Sequence, residues 1–531
     1  MMGCIGSGLL FNACQSVEPT KPERPNILFV ISDDQSYVHT GFGGSQFVRT
    51  PGFDRVAKEG IYFTTCIAGS PGCAPSRSTL VTGRHHWQNE NSGQHASSWL
   101  NKHVPFIDLM ETAGYATGRT GKGVSPFRYA SNSADSLWRF TDAGGIAHSN
   151  IRYMAGTPED ERPTSEISDI NYFENFKYFV EHIRGDQPFF FWFGAQEPHR
   201  GFEKESWQKH GKNLDDVEVP EFLPDHAEVR GDLLDYAIAI EWFDLHLQRM
   251  INYLEEIGEL DNTIIIVTSD NGMPFPRAKA NCYLYGIKVP LAIRYPELFP
   301  GERVIDDPIG FVDFAPTLLE VTQTPADGML PMSGRSFLNL LTSSHNGKID
   351  PERNFAFSGR ERHSSSRYLN MGYPQRAITS LDYLLIWNIK PDLWPAGDPQ
   401  RIKPDTENEL LPLFGLDENG KHHSDWAFTD VDASPTKSFL VENMTNNTVK
   451  RFFDLAFDKR QEFELFDVRN DPYNLRNLYG NPAYANIQQR LQNRLEQVLQ
   501  ESNDPRWVGP DKNIFDSYLR YSPLREFPKP N

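Results

Sequence analysis

Two acidic pairs in this chain carry the ligand types of a hard metal ion. Asp33-Asp34 and Asp270-Asn271 each follow a short apolar run, and their oxygen donors suit Ca²⁺ or Mg²⁺ rather than a soft, thiolate-seeking metal. A divalent ion held there would polarise an anionic substrate and offset its repulsion from an anionic nucleophile. The same residues are ordinary N-caps and turn formers, and Asp-Asn-Gly is a turn sequence, so neither pair decides the matter alone. Between the pairs stands Cys73-Ala74-Pro75-Ser76-Arg77, directly after a Ser-Pro-Gly turn. A lone cysteine is most often a small buried hydrophobe, and a five-residue pattern recurs by chance, so this stretch too needs company. Arg77 adds a permanently charged fork, Lys122 a point charge, and His199 a residue type suited to giving a proton to a leaving group. Taken singly, Lys122 reads first as a solvated surface lysine, and His199 equally as a core or capping histidine.

The elements that must position these residues alternate. Residues 25–31 form a continuous apolar run that reads as a buried parallel strand ending at Ser32-Asp33-Asp34. Residues 51–60 read as a helix closed by Gly60, 61–66 as a strand, 106–113 as a helix, 115–120 as extended, and 189–193 as a strongly apolar strand. A long helix follows over 233–257, then a strand over 264–268 that ends at Ser269-Asp270-Asn271. This is an α/β pattern with a mostly parallel sheet, in which ligands collect beyond the carboxyl ends of strands. Asp33, Asp34, His199 and Asp270 all fall at that end. After about residue 360 short runs such as 383–387 and 464–467 sit among Pro- and Asp-rich loops, which predicts a smaller antiparallel subdomain. Residues 482–501 place Ile487, Leu491, Leu495, Val498 and Leu499 at helical spacing, an apolar stripe expected to face the core. The resulting division is 1–24, 25–360 and 361–531.

With 531 residues, 39% of them hydrophobic and 12% aromatic, the chain can bury a large core. A net charge of −19 argues against nucleic-acid binding, which needs a basic footprint. The cysteines at 4, 14, 66, 73 and 282 are few and odd in number, so they imply no disulfide framework, and Cys66 and Cys282 read as core thiols. Met1 to Phe11 is small and apolar without a basic start, and Leu10 to Cys14 has the look of a loose bacterial lipobox. Export to the periplasm or outer membrane, with a lipid anchor at Cys14, is therefore expected, followed by a tether over residues 16–24. No later stretch is long and apolar enough to span a bilayer.

Taken in order, Asn26-Ile27-Leu28 to Asp33-Asp34, Cys73 to Arg77, Thr82-Gly83, Gly121-Lys122, Glu197-Pro198-His199 and Ser269 to Gly272 resemble a type I sulfatase of the alkaline phosphatase superfamily, across most of the chain. The resemblance implies that a formylglycine-generating enzyme oxidises Cys73 to formylglycine, whose hydrate attacks sulfate and later expels it by collapsing to the aldehyde. It implies one Ca²⁺ held by Asp33, Asp34, Asp270, Asn271 and the modified Cys73. Arg77 and Lys122 would stabilise the hydrate and His199 would face the sulfate group.

Within that family, Glu197 to Arg200, Asp270 to Pro276 with Lys279 and Asn281, Tyr373 to Arg376, and the tail from Glu464 to Leu478 resemble the N-sulfoglucosamine sulfohydrolase branch. By this likeness Lys279 would bind sulfate, and Arg200 and His363 would grip the sugar or a neighbouring acidic group. The implied substrate is a sulfated glycan, heparan-like or algal as in ulvan, with N-sulfoglucosamine as the sulfamidase alternative. One departure stands out. Many relatives carry a histidine two residues after the lysine, whereas Lys122-Gly123-Val124 has none, leaving His85, His86, His95 or His363 to replace it. Two rivals follow: a phosphodiesterase or phosphonate hydrolase of the same superfamily, which would show extra Asp and His ligands, and a catalytically silent glycan-binding homologue.

Overall fold

A computed structural model describes residues 24–530. The expected export segment, with Cys14, lies outside the described residues. The strands in chain order are β1 (Asn26–Ser32), β2 (Ile61–Phe63), β3 (Cys66–Ile67), β4 (Ala116–Gly121), β5 (Phe189–Gly194), β6 (Thr263–Ser269), β7 (Lys288–Val289), β8 (Leu291–Arg294), β9 (Arg303–Ile305), β10 (Ile309–Gly310), β11 (Ala356–Arg360), β12 (Gln375–Thr379), β13 (Tyr383–Asn388) and β14 (Phe463–Asp467). Seven build a central sheet in the order β4-β5-β1-β6-β8-β2-β9. β4, β5, β1 and β6 run parallel, and β8 enters antiparallel between β6 and β2. A small sheet joins β10, β3 and β7, and a four-stranded antiparallel sheet joins β11 to β14 in sequence order.

β1 lies at the centre, and all seven of its residues are buried. The alternation of a strand sends Leu28 and Val30 to one face and Ile27, Phe29 and Ile31 to the other, so an unbroken apolar run serves two cores. On the first face it meets helix α1 (Pro51–Glu59) through Phe53 and Val56, together with Phe243 and Leu247 of the long 227–256 helix. The second face packs on helices α2 (Cys73–Thr82) and α3 (Phe106–Thr112) through Leu80, Val81, Phe106 and Met110. Each large apolar side chain so buried contributes roughly 1.5–3 kcal/mol. Helix α4 (Tyr172–His182) covers β5 with Phe176 and Phe179.

Two boundaries differ from the sequence reading. Residues 61–66 do not form one strand: β2 pairs with β8 and β9, the chain leaves the sheet at Thr64-Thr65, and β3 joins the small sheet. The amide of Thr64 donates to Ile305 O and Thr65 O accepts from Ile309, so the bend is hydrogen-bonded rather than frayed. The long helix starts at Ala227, capped by the His226 ring on the Glu228 amide, because its first turn has no apolar stripe to announce it. Deeper in that helix, Asp244 accepts from the amides of Gly52 and Phe53 at 2.7 and 2.8 Å, supplying the cap that Thr50 does not give α1.

The four-stranded sheet begins with β11, before residue 361. One face meets Ile67, Cys282 and Leu284 of the larger unit, and the other receives Leu491, Leu495, Val498 and Leu499 of the 485–501 helix. The stripe of that helix is core, as its spacing indicates, with Ile487 only partly buried. Cys66 and Cys282 are buried free thiols. Beneath the sheet, Arg376 is fully buried and pairs with Asp504 at 2.5 Å and Glu361 at 2.8 Å, while Glu361 also takes Arg506 at 2.6 Å. Removing one partner strands the remaining charges. Arg376→Met should therefore lower stability by about 3–5 kcal/mol, read as a drop in the apparent melting temperature; an unchanged melt would deny the network that role.

Candidate active site

The parallel strands end in register. Ser32 pairs with Ser269, and Ile31 and Gly121 both pair with Gly194, so Asp33, Asp270 and Lys122 leave the sheet at one edge. Lys122 Nζ reaches Asp33 Oδ2 at 2.6 Å. Helix α2 points its first turn at the same edge: Cys73 is its first residue, Gly72 its N-cap, and all ten residues are buried. Four residues on, Arg77 falls on the same helix face, where Nε binds Asp270 Oδ2 at 2.7 Å and Nη1 donates to the carbonyls of Lys122 and Gly123. Lys279 Nζ binds Asp34 Oδ2 at 2.6 Å, and Asn271 donates to Asp34 Oδ1 at 2.7 Å. Asp34 holds its backbone at φ +76°, a strained setting for a side chain, fixed by Asp270 Oδ1 on its amide and by the Tyr236 hydroxyl on its carbonyl.

Ligand atoms of Asp33, Asp34, Cys73 and Asp270 lie within 4.8 Å of one another. Asp33 Oδ1 and Asn271 Oδ1 are buried with no hydrogen-bond partner, which a buried acceptor rarely tolerates. Oxygen donors with unmet lone pairs fit a hard divalent cation. The electrostatics agree. Burial, then the Asp33 carboxylate, push Asp270 up to about 7, whereas Asp33, although burial raises it, is held well below the usual range by Lys122, His199, Arg77 and Lys279. Asp270 is thus the carboxylate least favoured as an anion, and a divalent ion would hold it ionised. Burial and then Asp33 raise the Cys73 thiol well above its ordinary value, so it is protonated and unreactive as a thiol.

His199 stands at the rim, 39% exposed, with Nε2 3.9 Å from Asp34 Oδ2. Its Nδ1 lies 2.5 Å from Arg200 O, and since a carbonyl only accepts, Nδ1 carries the hydrogen and Nε2 is the nitrogen free to exchange a proton. Arg200 does not enter the cluster. Its guanidinium forks onto Asp232 at 2.7 and 2.8 Å and lies over the Phe275 ring. Val124 is fully buried in the core, its amide tied to Asp142. Of the four histidines weighed as its replacement, His85 stacks on Trp87 and His86 packs against Gly359 of β11, both away from the cluster. His363 approaches it: a Cβ on Gly72 would lie 3.0 Å from its Nδ1, and His95 packs on its ring at 5.1 Å.

The sequence reading missed Asp432. Its Oδ2 lies 3.2 Å from Lys279 Nζ, and it groups with Asp34 and His199. Nothing in its spacing relates it to the strand ends, because it reaches the site on a loop from the C-terminal half. That loop is built on Lys437, whose buried Nζ donates to the carbonyls of Ser424, Ala427, Phe428 and Val431 at 2.9–3.2 Å.

A mostly parallel sheet whose carboxyl edge gathers carboxylates, an arginine and two lysines round one point is built to hydrolyse an anionic ester. The Sulfatase family model matches residues 25–324, more than half of the chain, and the protein belongs to the sulfatase family. A second model, N-sulphoglucosamine sulphohydrolase, C-terminal, matches residues 437–501. The chain is 26% identical to an ulvan-active sulfatase of Formosa agariphila, over 95% of this chain and 78% of the relative. It is 24% identical to human N-sulphoglucosamine sulphohydrolase, over 93% and 94% of the two chains. In fold it resembles the structure of a protein in complex with its substrate D-glucosamine-2-N,6-O-disulfate, with a TM-score of 0.58 and 20% identity over 92% of this chain and 99% of the other.

Two outcomes test this geometry. Adding Ca²⁺ should raise the apparent melting temperature and chelation should reverse it, by the equivalent of about 2.7 kcal/mol at a hundredfold excess over Kd, and Asp270→Ala should remove the response. Lys437→Met leaves the carbonyls of Ser424, Ala427 and Val431 without a donor and should cost about 3 kcal/mol or more, with faster amide exchange across residues 424–432.

Proposed function

We propose that this sulfatase removes sulfate from sulfated glycans by means of a formylglycine made from Cys73 and one Ca²⁺ held by Asp33, Asp34, Asp270 and Asn271. The observation that carries the reading is a mismatch: Cys73 sets a protonated sulfur, 1% exposed, among hard oxygen donors. Oxidised to the aldehyde and hydrated, the same position supplies an oxygen nucleophile and completes an oxygen set for the cation. The cation, when bound, polarises the sulfate oxygens and offsets the negative charge of nucleophile and substrate. Because Cys73 and all of α2 are buried, the maturating enzyme must act before the chain folds.

The chain's own residues divide the remaining work. Arg77 and Lys122 place fixed positive charge on the side of Cys73 that faces Asp33 and Asp270, where negative charge develops. Lys279, beside Asp34 and Asp432, offers its ammonium to the sulfate group. His199 Nε2 delivers a proton to the leaving oxygen or nitrogen, its ring held by Nδ1 on Arg200 O. His363, against Gly72, is the histidine best placed to receive the proton that relatives pass to the residue at position 124. Among the described residues the metal-ligating groups all share Asp33 or Asp34, so no separate second metal site supports the phosphodiesterase rival.

The substrate reading rests on the relatives, an ulvan-active sulfatase and a sulphoglucosamine sulphohydrolase. A sulfamidase is the second reading, favoured by the match of residues 437–501 to the C-terminal region of the latter. A polymeric glycan accords with export to the periplasm or outer membrane, and no helix of the described residues is long and apolar enough to cross a membrane.

Protein co-expressed with a formylglycine-generating enzyme and given Ca²⁺ should desulfate either an ulvan oligosaccharide or a heparan disaccharide bearing N- and O-sulfate. A free amine product identifies a sulfamidase, and a lost O-sulfate an O-sulfatase. Cys73→Ala should abolish turnover, and the Cys73 peptide of active protein should carry the aldehyde. Activity from protein whose Cys73 is still a thiol would sink the mechanism.

A further inference from the structure

The cationic side of the site extends beyond Lys122 and Lys279, into arginines that have no acid to neutralise them. Arg362 is 3% exposed, yet among the described residues its guanidinium meets only a carbonyl, Tyr518 O at 2.8 Å, and its buried Nε and Nη2 find no acceptor. Arg520 likewise donates Nη1 to His363 O at 2.9 Å while its Nε is buried without a partner. Neighbouring buried arginines behave differently: Arg360 and Arg367 share Asp430, and Arg376 and Arg506 share Glu361. Those pairings explain the shortage. The acids near Arg362 and Arg520 are Glu361, Asp516 and Asp430, and each is already claimed by two other cations.

Arg520 borders the catalytic cluster through its guanidinium, and Arg362 through its main chain. The carbonyl of Arg362 accepts from the His95 amide at 3.2 Å, His95 packs on His363, and His363 lies against Gly72, one residue before Cys73. After burial and His363, the charges acting on His95 are those of Arg520, Lys122 and Lys279, all positive. Arg520 is held in place on either side, by the Ser97 hydroxyl on Leu519 O and by the Tyr521 amide on Ala96 O, both 2.8 Å. Unpaired guanidinium nitrogens out of water are costly to keep unless something anionic meets them.

We propose that Arg362 and Arg520 form a second oxyanion site, which takes a sulfate or carboxylate that the glycan carries at a position other than the sulfate being removed. The inference rests on the reading of the protein as a glycan sulfatase. A guanidinium fork matches either oxyanion in two-point geometry, so the shared chemistry is a planar or tetrahedral anion with two accessible oxygens. The two sources differ in substrate: a second sulfate ester, or the carboxylate of an adjoining uronate.

Rates of sulfate release separate these cases, with a monosulfated neutral disaccharide, its disulfated counterpart, and a monosulfated disaccharide that contains a uronate. The mature enzyme should favour one of the two doubly charged substrates by about tenfold or more in kcat/KM, mainly through KM, and the favoured one names the anion. Arg520→Gln, on a partly exposed side chain, should bring that preference down toward one while its melt stays at the wild-type temperature. Arg362→Gln should do the same where it folds. Equal kcat/KM for all three substrates, or a preference that survives in Arg520→Gln, overturns the second site. Failure of the wild type to release sulfate from any of them counts against the sulfatase reading instead. Calorimetric titration with the same disaccharides then decides the second site, which requires tighter binding of a doubly charged ligand and its loss in Arg520→Gln.

Discussion

The structure is organised round the cost of burying carboxylates at one sheet edge. Asp33, Asp34 and Asp270 are each no more than 1% exposed, and three such charges out of water would unfold the edge without compensation. Arg77, Lys122 and Lys279 supply it, each arriving from a different element. Much of the fold follows from delivering them. Helix α2 is buried along its whole length because Arg77 must reach Asp270 from inside the core. β4 must end in register with β5 for Lys122 to meet Asp33. Compensation stops short of completeness, since Asp33 Oδ1 and Asn271 Oδ1 still lack partners, a shortfall that a hard cation would meet.

The same requirement ties the two halves together. Lys279 sits between Asp34 of the core and Asp432 of the C-terminal half, so one ammonium answers to both. Asp432 can be placed only because Lys437 organises its loop through four carbonyls, an arrangement that substitutes an ammonium for water. Asp430, two residues away, clamps the loop that carries His363: it accepts from Arg360 and from the amide of Ser364, and pairs with Arg367. The opposite charges of the two halves thus fix the position of the loops that overlook Cys73.

How legible this was from sequence depends on how local each cause is. Strands β1, β5 and β6 announce themselves as unbroken apolar runs, which β4 with its Ala-Thr-Gly-Arg-Thr-Gly does not, and the acids after β1 and β6 could be read directly because a strand end is a local event. Helix α2 was hidden, since its ten buried residues include Ser, Thr and Arg and show no amphipathic stripe. The split of residues 61–66 was also hidden, because Thr64-Thr65 bends to meet Ile305 and Ile309, which lie far along the chain. Asp432, Lys437 and Arg520 carried no signal at all: Asp432 and Arg520 act through contacts more than a hundred residues away, and Lys437 binds carbonyls of a nearby loop that no motif spacing betrays. Arg200 shows the reverse case, since its place in a motif suggests the substrate while the fold engages its guanidinium with Asp232.

Position 124 shows why the C-terminal half matters to the chemistry. The segment after Lys122 is immobilised by the Asp142 carboxylate on the Val124 amide and by the Tyr129 hydroxyl on its carbonyl, and the valine side chain points into the core. A polar base there would have to be buried against Trp99 and Phe106, in the same apolar cluster as Val124. The sheet edge itself cannot shift to compensate, because its hydrogen-bond register fixes Lys122 and Asp33 together. A histidine beside the first turn of α2 therefore comes from a loop that approaches from outside the sheet. The loop bearing His363 does so, with an imidazole so close to Gly72 that a Cβ there would lie 3.0 Å from Nδ1.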